Sequence, residues 1–124
     1  QKHGLFFEII RRVNEKRPII LDSGKGLEIT PIHVSDASKA IIYLVNNYRS
    51  TSNHLLLNLA SHERTNVKRI ANLAANYLNR TPVFEEKDTL NRSYLADISL
   101  LESIWPVKKR TSLKEGIDEF ISNI

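Results

Sequence analysis

Along its whole length the chain alternates between segments with the 3.6-residue period of a helix and short apolar runs with strand character. No other feature restricts the possible folds as far. Leu5, Phe6, Ile9, Ile10 and Val13 recur on one side, with Glu8, Arg11, Arg12 and Glu15 on the other. This spacing predicts an amphipathic helix over 4–16, stopped before Pro18 because the residue preceding proline avoids the α region. Ile19-Ile20-Leu21 is a short apolar run, and Asp22-Ser23-Gly24-Lys25-Gly26 reads as a turn. The alternating and β-branched residues from Glu28 to Val34 predict a strand ending near Ser35. Ala37, Ala40, Ile41, Leu44, Val45 and Tyr48 then return to the helical period over 36–48, with Ser35 or Asp36 placed to cap it.

The second half repeats the alternation. His54-Leu55-Leu56-Leu57-Asn58-Leu59 is nearly continuously apolar, the pattern of a strand buried on both faces. Thr65 or Asn66 caps a helix whose stripe is Val67, Ile70, Ala71, Ala74, Tyr77 and Leu78. Pro82-Val83-Phe84 predicts another short strand. Asp97 caps a brief helix through Ile98 and Leu101 that ends at Trp105-Pro106. Ser112 and Glu115 form a capping box for a last helix that buries Leu113, Ile117, Phe120 and Ile121. The reading is an α/β lobe over 1–124, with short, mainly parallel strands alternating with helices and no repeat or linker.

Composition removes several function classes. Hydrophobic residues are 41% and charged residues 26% of 124, which is globular rather than disordered. No apolar run approaches the ~20 residues of a membrane span, and no secretory signal is evident, so a cytoplasmic protein with no membrane partner is expected. Lys and Arg exceed Asp and Glu by 8 to 5 in residues 1–62 and by 10 to 9 in 63–124. So even a surplus argues against nucleic acid, which wants a concentrated basic face. With no cysteine there is no disulfide or thiolate chemistry. With no methionine either, the chain reads as a piece of something longer.

The chemical motifs are mostly missing ones. Gly24-Lys25-Gly26 lacks the third glycine and the following helix of a dinucleotide fingerprint, and no Gly-Lys-Ser/Thr occurs. No tyrosine has a lysine four residues on. His3, His33, His54 and His62 have no mutual metal-ligand spacing, so no metal site and no catalytic residue is assigned. Glu85, Glu86 and Asp88 read as a solvated cluster in a loop after a strand, and Lys108-Lys109-Arg110 as solvated cations in an exposed loop. Arg92 stands apart. It lies in a polar segment after a strand, where α/β sheets bind ligands, and a guanidinium there can fork onto phosphate oxygens. The alternative for Arg92 is a surface ion pair with Glu85, Glu86 or Asp88.

These elements, taken in order, resemble the C-terminal, substrate-binding part of the extended short-chain dehydrogenase/reductase family, the NAD-dependent nucleotide-sugar epimerases and dehydratases. The resemblance rests on the helix Phe7-Glu8-Ile9-Ile10-Arg11-Arg12 leading to Arg17-Pro18-Ile19-Ile20-Leu21 and a glycine turn. It continues through Pro31-Ile32-His33-Val34-Ser35-Asp36-Ala37, similar to a Val-x-Asp strand-to-helix signature, and Leu57-Asn58-Leu59 before a capped helix. Arg92 to Asp97-Ile98-Ser99, Trp105-Pro106 and Ser112-Leu113-Lys114-Glu115-Gly116-Ile117 complete it over nearly all of 4–124.

The resemblance implies a two-domain parent. Its absent N-terminal Rossmann half would bind NAD or NADP and carry the proton- and hydride-transfer residues; this chain would hold no cofactor and be inactive alone. The partners implied are a nucleotide-sugar substrate and that Rossmann half. Asn58 and Arg92 would contact the nucleotide or diphosphate, and the chain around Leu21 would line the base. One departure is notable: an arginine usual between the glycine turn and the Val-x-Asp strand is missing, the stretch reading Leu27-Glu28-Ile29-Thr30. Two further readings are a non-catalytic binding or regulatory module on the same lobe, and a basic polyanion-binding domain using Lys108 to Arg110 with Arg11-Arg12. Helices 4–16 and 36–48 carry full apolar stripes, one of which would pack on the Rossmann half in the parent; the orphaned face predicts that the chain self-associates, as a homo-oligomer, or is marginally stable.

Overall fold

The computed structural model describes residues 3–49, 54–106 and 109–124. In chain order they form helix α1 (Leu5–Asn14), strands β1 (Pro18–Asp22) and β2 (Glu28–Ile29), and helix α2 (Val34–Asn47). Strand β3 (Thr65–Asn66), helix α3 (Val67–Leu78), and strands β4 (Val83–Lys87) and β5 (Ser93–Tyr94) follow, then helices α4 (Ser99–Ile104) and α5 (Leu113–Ser122). The fold is α/β. β1 runs parallel to β4, from Pro18 opposite Val83 to Asp22 opposite Lys87. In the second sheet β2 lies between β3, antiparallel to it, and β5, parallel to it. No helix among the described residues is long and apolar enough to cross a membrane.

The main core follows from the stripes. Ile9, Ile10 and Val13 of α1 meet Ile70, Ala71 and Ala74 of α3, with Ile19 and Leu21 of β1 and Ile117 and Ile121 of α5 closing the cluster. The alanines let α1 and α3 approach closely, and each buried isoleucine or leucine contributes roughly 1.5–3 kcal/mol. Capping fixes the helix ends. Asn66 Oδ1 accepts from Arg69 N at 2.9 Å, and the Ser112–Glu115 capping box forms in both directions. The glycine turn caps α3 as well: Lys68 N donates to Lys25 O at 3.1 Å and Val67 N to Leu27 O at 3.2 Å. Gly26 makes this contact possible. Its φ is +72°, and a Cβ there would stand 2.8 Å from Val67 Cβ.

A second, smaller cluster consists of Ala40, Leu101 and Trp105, with Tyr43, Leu57, Leu59 and Ile98 packed around it. It joins α2 to α4 and the segment 54–60. Two carboxylates hold the strap between α4 and α5: Asp36 accepts from Thr111 N at 2.7 Å and Glu63 from Leu113 N at 2.9 Å.

Several expectations are corrected here. The strand predicted over 28–34 ends at Ile29, because Pro31 lacks a ladder donor and Val34 already opens α2. His33, not Ser35 or Asp36, caps α2, its Nδ1 accepting from Ser35 N at 3.3 Å, while Asp36 is buried on Thr111. The run 54–59 forms no strand; no neighbouring strand among the described residues supplies its ladder, and Leu56 is exposed. Glu85 and Glu86 belong to β4 itself, and β3 and β5 are too short to leave a sequence pattern. Arg110 is not solvated: its guanidinium lies 4.8 Å from the Trp105 ring centroid, and its side chain is buried. Its neighbour Lys108 falls outside the described residues.

Candidate functional site

The segment from Lys87 to Asp97 is fastened at four places to elements far from it in sequence. Ser23 N donates to Lys87 O at 3.0 Å, Ser23 Oγ donates to Thr89 O at 2.7 Å, and Thr89 Oγ1 donates to Asp22. Glu28 N donates to Arg92 O at 3.0 Å, which begins the β2–β5 pairing. Ala96 N donates to Thr30 Oγ1 at 3.1 Å, and Asn58 Nδ2 donates to Asp97 O at 2.9 Å. The C-terminal ends of β1 and β2, the 54–60 segment and the 87–98 segment therefore share one rim. Strand C-terminal ends are where α/β sheets bind ligands.

On that rim the side chain of Arg92 is exposed and has no carboxylate partner among the described residues. The ion pair with Glu85, Glu86 or Asp88 does not form; Glu86 pairs instead with Lys68 at 3.6 Å. The main chain of Arg92 is held in the sheet while its guanidinium remains unpaired. Asn58 comes to the same rim, though one amide hydrogen is already committed to Asp97 O. Asp97 is fixed in turn by Ser99, whose N–H donates to its Oδ1 at 2.9 Å. The Ser99 N–H and hydroxyl hold the Asp97 carboxyl below the usual carboxylate range.

Leu21 is corrected at the level of its side chain, which is fully buried in the main core beside Gly26 and Val67. Only its main chain can border a ligand. Among the described residues β1 pairs with β4 alone, so its other edge carries no strand.

The glycine turn does not fit a dinucleotide. Ser23 N is bonded to Lys87 O, Lys25 N and Gly26 N both turn back to Asp22 O, and the Lys25 carbonyl faces the first N–H groups of α3. The N–H groups of Ser23, Lys25 and Gly26 are thus already committed within the fold rather than turned outward to a pyrophosphate. His33 serves α2 as its cap, with Nε2 3.4 Å from Glu119, and His3, His54 and His62 are exposed. Among the described residues no group of three or more His, Asp or Glu is arranged to hold a metal ion. What the rim offers is hydrogen bonding and one unpaired guanidinium: binding chemistry.

No family model and no curated protein matches the sequence. Solved structures do match the fold. The UDP-glucuronic acid 4-epimerase of Bacillus cereus in complex with NAD superposes with a TM-score of 0.75 at 13% identity, over 95% of this chain and 36% of that one. The dTDP-glucose 4,6-dehydratase of Bacillus anthracis in complex with NAD gives 0.75 at 14% identity, over 98% and 38%. The UDP-glucose 4-epimerase of Thermus thermophilus in complex with NAD gives 0.69 at 15% identity, over 95% and 40%. The chain thus has the fold of the C-terminal part of NAD-dependent nucleotide-sugar epimerases and dehydratases. It spans about two fifths of the length of those enzymes.

Proposed function

We propose that the chain is the substrate-binding portion of an NAD- or NADP-dependent nucleotide-sugar epimerase or dehydratase, an enzyme of isomerase or lyase type working in the cytoplasm, and that it is inert without an NAD-binding half. The observation that carries this reading is Arg92, an unpaired guanidinium on a rim of strand ends in a fold shared with enzymes of that chemistry. Arg92 grips the diphosphate through its planar fork. Asn58, with its second amide hydrogen and its carbonyl oxygen, contacts the nucleotide, and the open edge of β1 at Leu21 borders the base through its main chain. The NAD-binding half meets the unladdered apolar segment 54–60.

The polyanion-binding reading finds little support, since Arg11 and Arg12 are both paired with Glu8, at 2.8 and 2.7 Å, and Arg110 is buried on Trp105. The test is titration of the chain with UDP and, separately, with NAD, followed by amide NMR shifts. Saturable UDP shifts centred on Asn58 and Arg92–Asp97, with no saturable response to NAD, are expected. A micromolar NAD site, or UDP shifts centred on another face, would remove the proposal.

A further inference from the structure

Arg110 holds a positive charge inside the fold with little to neutralise it. Its side chain is only 7% exposed, and Nη1 is buried with no hydrogen-bond partner among the described residues. Glu102 Oε1 stands 3.9 Å from it, too far for a hydrogen bond. A buried guanidinium in that state is costly, and an apolar side chain of the same length would fill the space without the desolvation penalty. What the guanidinium does meet is Trp105, whose ring centroid lies 4.8 Å from its central carbon and which is itself buried. Away from water, a cation over an indole face is at its strongest.

The ring leads to the rim. Trp105 forms a cluster with Ala40 and Leu101, and Leu57, Leu59 and Ile98 pack against it. Leu57 and Leu59 are half-buried, and Asn58 between them is exposed. Ile98 is half-buried directly after Asp97, whose main-chain oxygen accepts from Asn58 Nδ2 at 2.9 Å. Both residues of that bond are thus held by neighbours that rest on one cluster. The stack is anchored on its other side as well: Thr111, next to Arg110, donates its N–H to the buried Asp36 of α2 at 2.7 Å. We propose that Arg110 is a positioning residue for the rim. Its stack on Trp105 fixes the platform beneath Leu57, Leu59 and Ile98, and so sets the orientation of Asn58 and of its bond to Asp97. Arg110 itself touches no ligand. The consequence for nucleotide affinity rests on the function proposed above, whereas the consequence for the Asn58–Asp97 bond does not.

Trp105 is the one tryptophan of the chain, so its fluorescence reports the stack. Arg110→Met keeps an unbranched side chain and removes the cation. Arg110→Lys keeps the cation and loses the planar face. Glu102→Gln leaves the stack in place. In the native chain the Asn58 amide proton given to Asp97 O should exchange slowly with water, as read by NMR. Arg110→Met should shift the Trp105 emission, speed that exchange and raise the UDP dissociation constant about three- to tenfold. Arg110→Lys should fall between the native chain and Arg110→Met in all of these, a graded rescue that a space-filling role would not give. Glu102→Gln should behave as the native chain does. If Arg110→Met does not fold, the comparison of Arg110→Lys with Glu102→Gln carries the test. Native behaviour of a folded Arg110→Met would overturn the inference. So would a shifted Trp105 emission with an unchanged Asn58 amide, or a loss in Glu102→Gln equal to that in the Arg110 variants. A native chain that fails to bind UDP would remove the proposed function instead, and the Asn58 amide would still decide whether Arg110 positions it.

Discussion

The two packed regions of this chain are built by different rules. The main core, formed by α1, α3, α5 and β1, buries twelve residues, among them Val13, Leu21 and Ile70 with no exposed surface. The cluster beneath α2 and α4 buries three, and α2 leaves Val34, Ile41, Ile42 and Val45 largely exposed. The first region satisfies itself. The second is smaller and is held to the first by hydrogen bonds from Thr111 and Leu113 to Asp36 and Glu63. Stability should accordingly be uneven, and the candidate rim, which draws on the 54–60 segment and the approach to α4, falls on the weaker side.

Truncation on the two sides should break this comparison most visibly. Ile70→Ala leaves a cavity among α1, α3 and β1 and should cost roughly 2–5 kcal/mol, a large fraction of the total stability, read as a lowered denaturant midpoint. Leu101→Ala, also fully buried, should instead speed amide exchange across α2 and α4 while the amides of α1, α3 and α5 keep their protection. Equal loss of protection everywhere would show that the chain is one cooperative unit. Gly26→Ala comes next. It forces a side chain at positive φ into Val67 and should destabilise by about 1–3 kcal/mol, read as a lowered denaturant midpoint.

The smallest effect sharpens the picture at the start of α5. Ser112→Ala removes the capping hydroxyl and should cost about 0.5–2 kcal/mol. The Ser112 N–H and hydroxyl hold the Glu115 carboxyl below its usual range. A depressed carboxylate contributes stability that is fully present above its unfolded value and is lost as pH falls through the folded one. The native chain should therefore lose part of its stability on acidification through the carboxylate range, and Ser112→Ala should flatten that dependence. An unchanged acid limb in Ser112→Ala would contradict the role of the cap.

What was legible in the sequence divides along the same line. Helices α1, α3 and α5 were readable to within a residue or two, because their stripes are covered by one another and their caps lie within three residues of the ends they serve. The stripe of α2 was misplaced. Asp36 turns inward because Thr111, 75 residues away, supplies an N–H donor, and no local pattern records that. The run 54–59 carries the signature of a doubly covered strand, but among the described residues it has cover only where Leu57 and Leu59 meet the Ala40–Leu101–Trp105 cluster, and it has no ladder. Of the candidate site, the placement of Arg92 in a polar segment after a strand was legible. The bond from Asn58 to Asp97 spans 39 residues and could not be read, nor could the full burial of the Leu21 side chain beside Gly26 and Val67.

The central claim is that Arg92 is the anion contact of a nucleotide-binding rim. Its most direct test is the UDP dissociation constant of the native chain, Arg92→Ala and Arg92→Lys, measured by the same NMR titration. Charge-assisted hydrogen bonds to a phosphate are worth roughly 1.5–3 kcal/mol, so Arg92→Ala should weaken binding about ten- to a hundredfold. Arg92→Lys should recover only part of that, because a point charge cannot reproduce the two-pronged geometry. Unchanged affinity in Arg92→Ala, with the chain still folded, would contradict the account.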